Sequence, residues 1–508
     1  MTAVNPASVA GRLLSSCSPI IVANRAPLTL EEADPILGTP ERLVKGSGGL
    51  VSAMSTLAQA TKAIWVAAAR DGADEALAAR ADENGHVALE DSGASYAISF
   101  VHPSKEAYHL YYNRISNPLL WFIHHYLWDL SREPVIDSRT EHAWRAGYVE
   151  VNRLFAQRVV EEARAAARPP LIFFQDYQLY LAPEMVRREL PSASLSHFIH
   201  VPWPNPAYWR ILRSEVREAI LTGLLANDVV GFHTHQDVRN FLVTCEDLLH
   251  TGVDFGQAMV YFAGRKVHVH AYPLGIDVAE MRAMAKAEKT QEWFDRFAQS
   301  RCEQIILRVD RTDLSKNIVR GFLAYERMLE AHYELHGKVQ FIAYLQETRQ
   351  NIDDYRSYLG SVLSAVARIN RRFSSGGWMP IHLEIESNIH KAVSLYRQYD
   401  VLLVNPIYDG MNLVAKEGPV CNERDGVLVL SENAGAHEEL GEFALTVNPF
   451  DVDQTAEALY LALAMEPAEK AARADRLRDV VERNDVSDWI SAQLSDLAML
   501  ATPLHLWR

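Results

Sequence analysis

The stretch Gln304-Ile-Ile-Leu-Arg308-Val-Asp-Arg311-Thr-Asp-Leu-Ser-Lys316-Asn317-Ile318 passes from an apolar run through a charged loop into an amphipathic segment. Aliphatic residues without alternation suit a strand buried on both faces, and the apolar spacing over 318–335 suits a helix. Strand, short loop and helix in that order make half of a parallel crossover unit. The pattern repeats outward in both directions. Apolar runs at 20–23, 63–67, 171–174, 195–199 and 228–231 precede it, and runs at 339–343, 401–404 and 427–430 follow it. Helical spacing falls at 49–60, 145–164, 216–225, 353–371 and 455–464. Strand–helix alternation on both sides of mid-chain predicts an α/β protein with two doubly wound domains in tandem. Ligands belong at the carboxyl ends of such strands, and hence in a cleft between the two domains.

The length of 508 residues agrees with two large domains, at roughly 100–200 residues each. The expected divisions are a loose tail over 1–18, a first domain over 19–273, a second over 274–484, and a helix over 485–508 that crosses back to the first. The tail lacks the charged start and apolar core of a signal peptide. Fifty Lys and Arg against 65 Asp and Glu leave a net charge of −15, which repels nucleic acid and anionic membrane but allows a local basic pocket. No run approaches the length of about 20 apolar residues that spans a bilayer. The four cysteines, Cys17, Cys245, Cys302 and Cys421, stand far apart and fit a reducing cytoplasm better than a disulfide framework or zinc site.

Five clusters carry candidate chemistry. Arg311 and Lys316 flank the loop after the 304–309 run. Two cations there suit a departing nucleoside diphosphate, whose charge grows as the bond to the sugar breaks, without a metal. A solvated charged loop is the plainer alternative. The second cluster is Asn405-Pro-Ile-Tyr408-Asp409-Gly410-Met411-Asn412-Leu413-Val414-Ala-Lys-Glu417, where a strand meets a turn that opens a helix. Backbone N–H groups at a helix start suit pyrophosphate. Asp409 can accept from sugar hydroxyls, and Glu417, about two turns on, from a ribose diol. An Asp-Gly turn with an exposed Glu is the alternative.

Lys45-Gly-Ser-Gly48-Gly49-Leu50 is the third cluster; its glycines allow close approach of backbone to phosphate, or simply a surface loop. The fourth pairs Gln175-Asp176-Tyr177-Gln178 with His200-Val-Pro-Trp203-Pro. Each follows an apolar strand, so Asp176 can orient an acceptor hydroxyl and His200 a donor hydroxyl; a hydrogen-bonded structural His is the alternative. The fifth, Tyr111-Tyr112-Asn-Arg114 through Trp121, offers aromatics and a cation for a sugar phosphate, or core packing.

Taken together, and in this order, these clusters resemble the trehalose-6-phosphate synthase family. Asn24-Arg25, Asn448-Pro-Phe-Asp451 and Asn484-Asp485 add to the match, which covers roughly 20–500. The resemblance implies the GT-B type of fold, with two Rossmann-like domains facing across a cleft, and a retaining glycosyltransferase that needs neither metal nor other cofactor. It implies a nucleotide-glucose donor, glucose 6-phosphate as acceptor, and a homo-oligomer, dimer or tetramer. By position, Arg311 and Lys316 hold the diphosphate, with the backbone of Gly49, Leu413 and Val414, and Glu417 holds the ribose. His200, Asp409, Gly410, Met411 and Asn412 line the donor sugar. Asp176 holds the acceptor, and Arg25, Tyr112, Trp121 and Arg349 form its phosphate-sugar pocket.

The chain departs from the family pattern at Gln175 and Gln178, where His is frequent, at Tyr408, where Arg is frequent, and at Trp203. The stretch from His200 to Leu212 also resembles pseudo-glycosyltransferases that join a nucleotide cyclitol to an aminocyclitol phosphate. Met411 speaks against that alternative, because Asp-Gly-Met-Asn is the synthase form. A catalytically silent sugar-phosphate sensor is a third possibility, which the full set of cations and carboxylates weakens.

Overall fold

The computed structural model describes residues 9–31, 42–45, 54–55, 57–58, 61, 63–91, 94–299 and 302–501. The described residues up to Tyr272, with those from Ser487 onward, form one compact unit, and Pro273–Val486 form another.

The first unit is built on a sheet of ten described strands. Their spatial order is Gly252–Asp254, Met259–Phe262, Arg265–Ala271, Val229–Phe232, Ser194–Phe198, Pro170–Gln175, Ser18–Val22, Ile64–Ala68, Ala94–Val101, His86–Asp91. The strands from Arg265–Ala271 to Ala94–Val101 are parallel. The outer ones pair antiparallel and close the two edges. Counted along the chain, the parallel strands lie in the order 3-2-1-4-5-6-7, a doubly wound sheet. Its direction of travel reverses between Ser18–Val22 and Pro170–Gln175, where Ile20 pairs with Ile172. Ile20, Ile21 and Val22 are at most 1% exposed, as expected of a central strand covered on both faces. Burying each such side chain stabilises the fold by roughly 1.5–3 kcal/mol.

The second unit has six parallel strands in the order Ile381–Ile385, Val339–Gln346, Gln304–Arg311, Val401–Val404, Val427–Ser431, Leu445–Val447. Counted along the chain this is 3-2-1-4-5-6, the Rossmann order, with its reversal between Gln304–Arg311 and Val401–Val404. The long registers, such as Gln304 through Arg311 against Val339 through Gln346, carry the strand ends to one level.

The expected tail through residue 18 is corrected over Val9–Ser16, which form a helix. Ala10, Leu13 and Cys17 recur at helical spacing and are all buried, which anchors a segment that its small-residue composition makes look loose. The helix Val486–Ala501 belongs to the first unit from Ser487 on, where Trp489 packs edge-on against Phe198 at 5.1 Å. Two helical stretches, Tyr111–Leu120 and Ala143–Val149, are wound in wide π turns. They meet at Gly147, where a Cβ would lie 2.5 Å from the Tyr111 nitrogen, so only glycine admits the contact. No helix among the described residues is long and apolar enough to cross a membrane.

Candidate active site

In each unit some of the residues singled out by the sequence follow the two strands at the reversal point, where the loops leave in opposite directions, the place where such sheets open a crevice. In the second unit these are the loop from Arg311 to Asn317 and the turn from Asn405 to Leu413. Asn317 adopts a left-handed conformation (φ 58°) and ties them together. Its carboxamide donates to the Asn405 carbonyl at 3.0 Å and the Pro449 carbonyl at 2.7 Å. Ile407 N–H donates to the Ser315 carbonyl at 2.8 Å, and buried Asp313 accepts from the Ser315 amide at 3.1 Å.

This stitching brings Lys316 onto Asp409, whose carboxylate accepts a hydrogen bond from the Lys316 ammonium. Asp409 also accepts from the Gly410 amide at 3.1 Å and the Asn412 carboxamide at 3.0 Å. Asn412 has φ 69°, which turns the chain into the helix Val414–Cys421. The amides of Leu413 and Val414 stand at the start of that helix, where N–H groups lack intrahelical acceptors and the helix dipole is positive. Glu417 follows one turn later, half-buried, accepting from Tyr396 at 3.1 Å; burial pushes its carboxyl above the usual range. Met411 is buried, and its carbonyl accepts from the Ala436 amide at 2.9 Å.

Charged side chains are also buried at the end of the strand Gln304–Arg311. Arg308 is fully buried, bonded to the Asn405 side chain, with Nε 3.4 Å from Asp310. Asp310 sits among Arg308, Lys316, Asp409 and Arg311; burial outweighs the cations and pushes its carboxyl up to about 6. Arg349 has φ 50° and lies in the same unit, 2.6 Å from the Tyr355 hydroxyl and 3.3 Å from Asp313. It therefore braces the residue that caps the Arg311–Lys316 loop.

In the first unit, Arg25 follows the strand Ser18–Val22. It is exposed, and its guanidinium donates to Tyr112 at 3.4 Å. Tyr112 stacks on Tyr108, whose hydroxyl lies 3.2 Å from the Asn24 carboxamide. Trp121 is buried, stacked on His125 at 4.0 Å and tilted against Tyr177 at 5.7 Å. Asp176 follows the strand Pro170–Gln175, and its carboxylate accepts from the His200 amide at 3.2 Å. The His200 ring lies 3.0 Å from the Gln175 carboxamide oxygen; burial, with His233 and His197 nearby, holds the imidazole neutral, well below its usual pKa.

The structure thus joins Arg311, Lys316, Asp409, Gly410, Asn412, Leu413, Val414 and Glu417 at one strand edge, and Asp176 with His200 and Arg25 with Tyr112 at another. Gly49 lies outside the described residues. Tyr396, Asp313, Tyr355 and His197 touch these groups and were not singled out by sequence. Tyr396 and His197 stand within largely apolar runs that read as core, whereas Asp313 and Tyr355 stand among charged residues that read as solvated surface. Among the described residues no group of three or more His, Cys, Asp or Glu is arranged to hold a metal ion.

Comparison with known proteins places these features in a family. The model of glycosyltransferase family 20 matches residues 17–499. The chain is 33% identical to the α,α-trehalose-phosphate synthase [UDP-forming] of Pichia angusta, over 92% of this chain and 96% of that one. It is 30% identical to the validamine 7-phosphate valienyltransferase of Streptomyces hygroscopicus subsp. jinggangensis, over 95% and 94%. A crystal structure of an α,α-trehalose-phosphate synthase (UDP-forming) from Burkholderia xenovorans in complex with glucose 6-phosphate superposes with a TM-score of 0.80, at 28% identity and 94% and 99% coverage.

Proposed function

The chain belongs to glycosyltransferase family 20, and we propose that it transfers glucose, with retention, from uridine or guanosine diphosphate glucose to glucose 6-phosphate, giving α,α-trehalose 6-phosphate. The observation that carries this is the second unit's reversal point, which sets Lys316 on Asp409 beside the start of the helix Val414–Cys421. The ammonium and the open amides of Leu413 and Val414 suit a diphosphate; the neighbouring carboxylate suits sugar hydroxyls.

Arg311 and Lys316 take up the charge that grows on the diphosphate as the anomeric C–O bond breaks. An acceptor hydroxyl oxygen forms the new bond on the same face, and its proton passes to the leaving phosphate oxygen. Glu417 receives the ribose hydroxyls, exchanging its bond from Tyr396 for theirs. Asp176 orients the acceptor, His200 a donor-sugar hydroxyl, and Arg25, Tyr112, Trp121 and Arg349 the phosphorylated acceptor.

A second possibility is transfer of a cyclitol to an aminocyclitol phosphate. The 30% identity to a valienyltransferase favours it; Met411 within Asp-Gly-Met-Asn favours the glucosyl reaction. Turnover of each sugar nucleotide with glucose 6-phosphate, followed by mass detection of a disaccharide phosphate, decides between them. No product from any glucose nucleotide, with product from a nucleotide cyclitol and an aminocyclitol phosphate, would reverse the assignment.

A further inference from the structure

We infer that His197 is a positioning residue for Asp176, acting through its imidazole N–H on the Asp176 carbonyl. The inference rests on the proposed role of Asp176 as ligand of the acceptor hydroxyl.

Asp176 has φ 69° and ψ 174°, a region of backbone space that glycine occupies almost alone. A residue with a Cβ keeps such a shape only where its surroundings hold it. The neighbouring strand grips it at three points. The Asp176 amide donates to the Phe198 carbonyl at 2.7 Å. The His200 amide donates to the Asp176 carboxylate at 3.2 Å. The His197 Nε2 lies 3.0 Å from the Asp176 carbonyl. The first two are main-chain contacts that nearly any residue at 198 or 200 supplies. The third depends on the identity of a side chain.

A carbonyl oxygen can only accept, so Nε2 carries the proton and Nδ1 is the lone-pair nitrogen. His197 is fully buried, and burial pushes its pKa down to about 4, which keeps the ring neutral. Its Nδ1 is buried with no hydrogen-bond partner among the described residues. A ring that strands one nitrogen is a poor choice for packing alone, because an unpaired buried acceptor is costly. The Nε2 contact accounts for an imidazole where an apolar ring would fill the same space. It holds the Asp176 peptide in its strained orientation and so fixes where the carboxylate points.

Three variants test this. His197→Phe keeps a ring and removes the N–H. His197→Gln places a carboxamide N–H near the position of Nε2. His197→Asn places it near that of Nδ1, out of reach of the carbonyl, and serves where the Phe variant does not fold. The Phe or Asn variant should lose about 10- to 100-fold in kcat, the scale of a small misplacement of a reacting group, while KM for the donor stays within about twofold. The Gln variant should recover most of the rate. Wild-type turnover in folded His197→Phe, or an equal fall in folded His197→Gln, overturns the proposal. Asp176→Asn is measured alongside. Full activity there removes the premise about Asp176, whereas loss there with none in the His197 variants confines the failure to His197.

Discussion

Lys316, at the end of one strand-to-helix loop, donates a hydrogen bond to the carboxylate of Asp409, 93 residues further along and in the middle of another. The pair joins the two loops that leave the second sheet at its point of reversal. It also means that the ammonium proposed to hold a diphosphate is already paired with a carboxylate. Under that proposal, donor binding replaces one anion with another, rather than inserting charge beside an unpaired cation.

Arg311→Ala and Lys316→Ala should therefore mainly lower kcat. If each cation supplies roughly 3 kcal/mol of transition-state stabilisation, the loss is about 100-fold or more. Steady-state kinetics on the single and double variants measure it. A folded double variant that turns over near the wild-type rate contradicts the assignment of both residues.

The central strands were legible because they are covered on both faces. The runs at 171–174, 304–309 and 401–404 lie within parallel strands next to a reversal point, and the run at 20–23 does so up to Val22. Edge strands were harder. Ile381-His-Leu-Glu-Ile385 carries charged residues because one flank is open, and it does not read as a continuous apolar run. The π turns over Tyr111–Leu120 escape a search for 3.6-residue spacing. Candidate residues that follow a strand, such as Asp176 and His200, are legible by position. Partners inside elements, such as Tyr396 in Ile389–Tyr396 and His197 in Ser194–Phe198, look like core until coordinates show what they touch.

Asp310 should give the proposed donor site a pH dependence. Its carboxyl rises from 3.8 to about 6 in the folded chain. Between those values the folded chain holds a proton that the unfolded chain releases, so its contribution to stability falls as pH rises through that window. Protonation also removes a negative charge beside Arg308, Lys316 and Arg311. Affinity for uridine diphosphate glucose should then tighten several-fold as pH drops through about 6. Glu417 should pull the other way, because its protonation would weaken the proposed ribose contact. The test is thus the ratio of wild-type to Asp310→Asn affinities by calorimetry. That ratio should be below one near pH 7.5 and approach one near pH 5; a flat ratio would show that Asp310 does not couple to the donor.

Turnover should persist in excess EDTA, because Arg311, Lys316 and the helix start are proposed to do together what a divalent cation does on a leaving diphosphate. The assay compares initial rates before and after chelation, then after adding back magnesium or manganese. A complete loss that metal restores would mean that the leaving-group chemistry has been assigned to the wrong groups.

Arg349 allows two roles, and substrate preference separates them. Its guanidinium is bonded to Tyr355 and to Asp313, and Asp313 caps the loop that carries Lys316. Only 9% of its side chain is exposed, so it is not a solvated surface cation. As a ligand of the acceptor phosphate, it would use remote binding energy to align the reacting hydroxyl. Arg349→Ala should then lose most of the preference for glucose 6-phosphate over glucose, while the poor rate with glucose itself stays unchanged. Arg349→Lys should recover little, because a point charge cannot reproduce bidentate guanidinium–phosphate contacts. As a brace for Asp313 alone, it would act through the donor loop. Rates with both acceptors would then fall by the same factor and KM for the nucleotide sugar would rise. An unchanged preference for the phosphorylated sugar in a folded Arg349→Ala variant removes Arg349 from the acceptor site and leaves it as part of the donor loop's support.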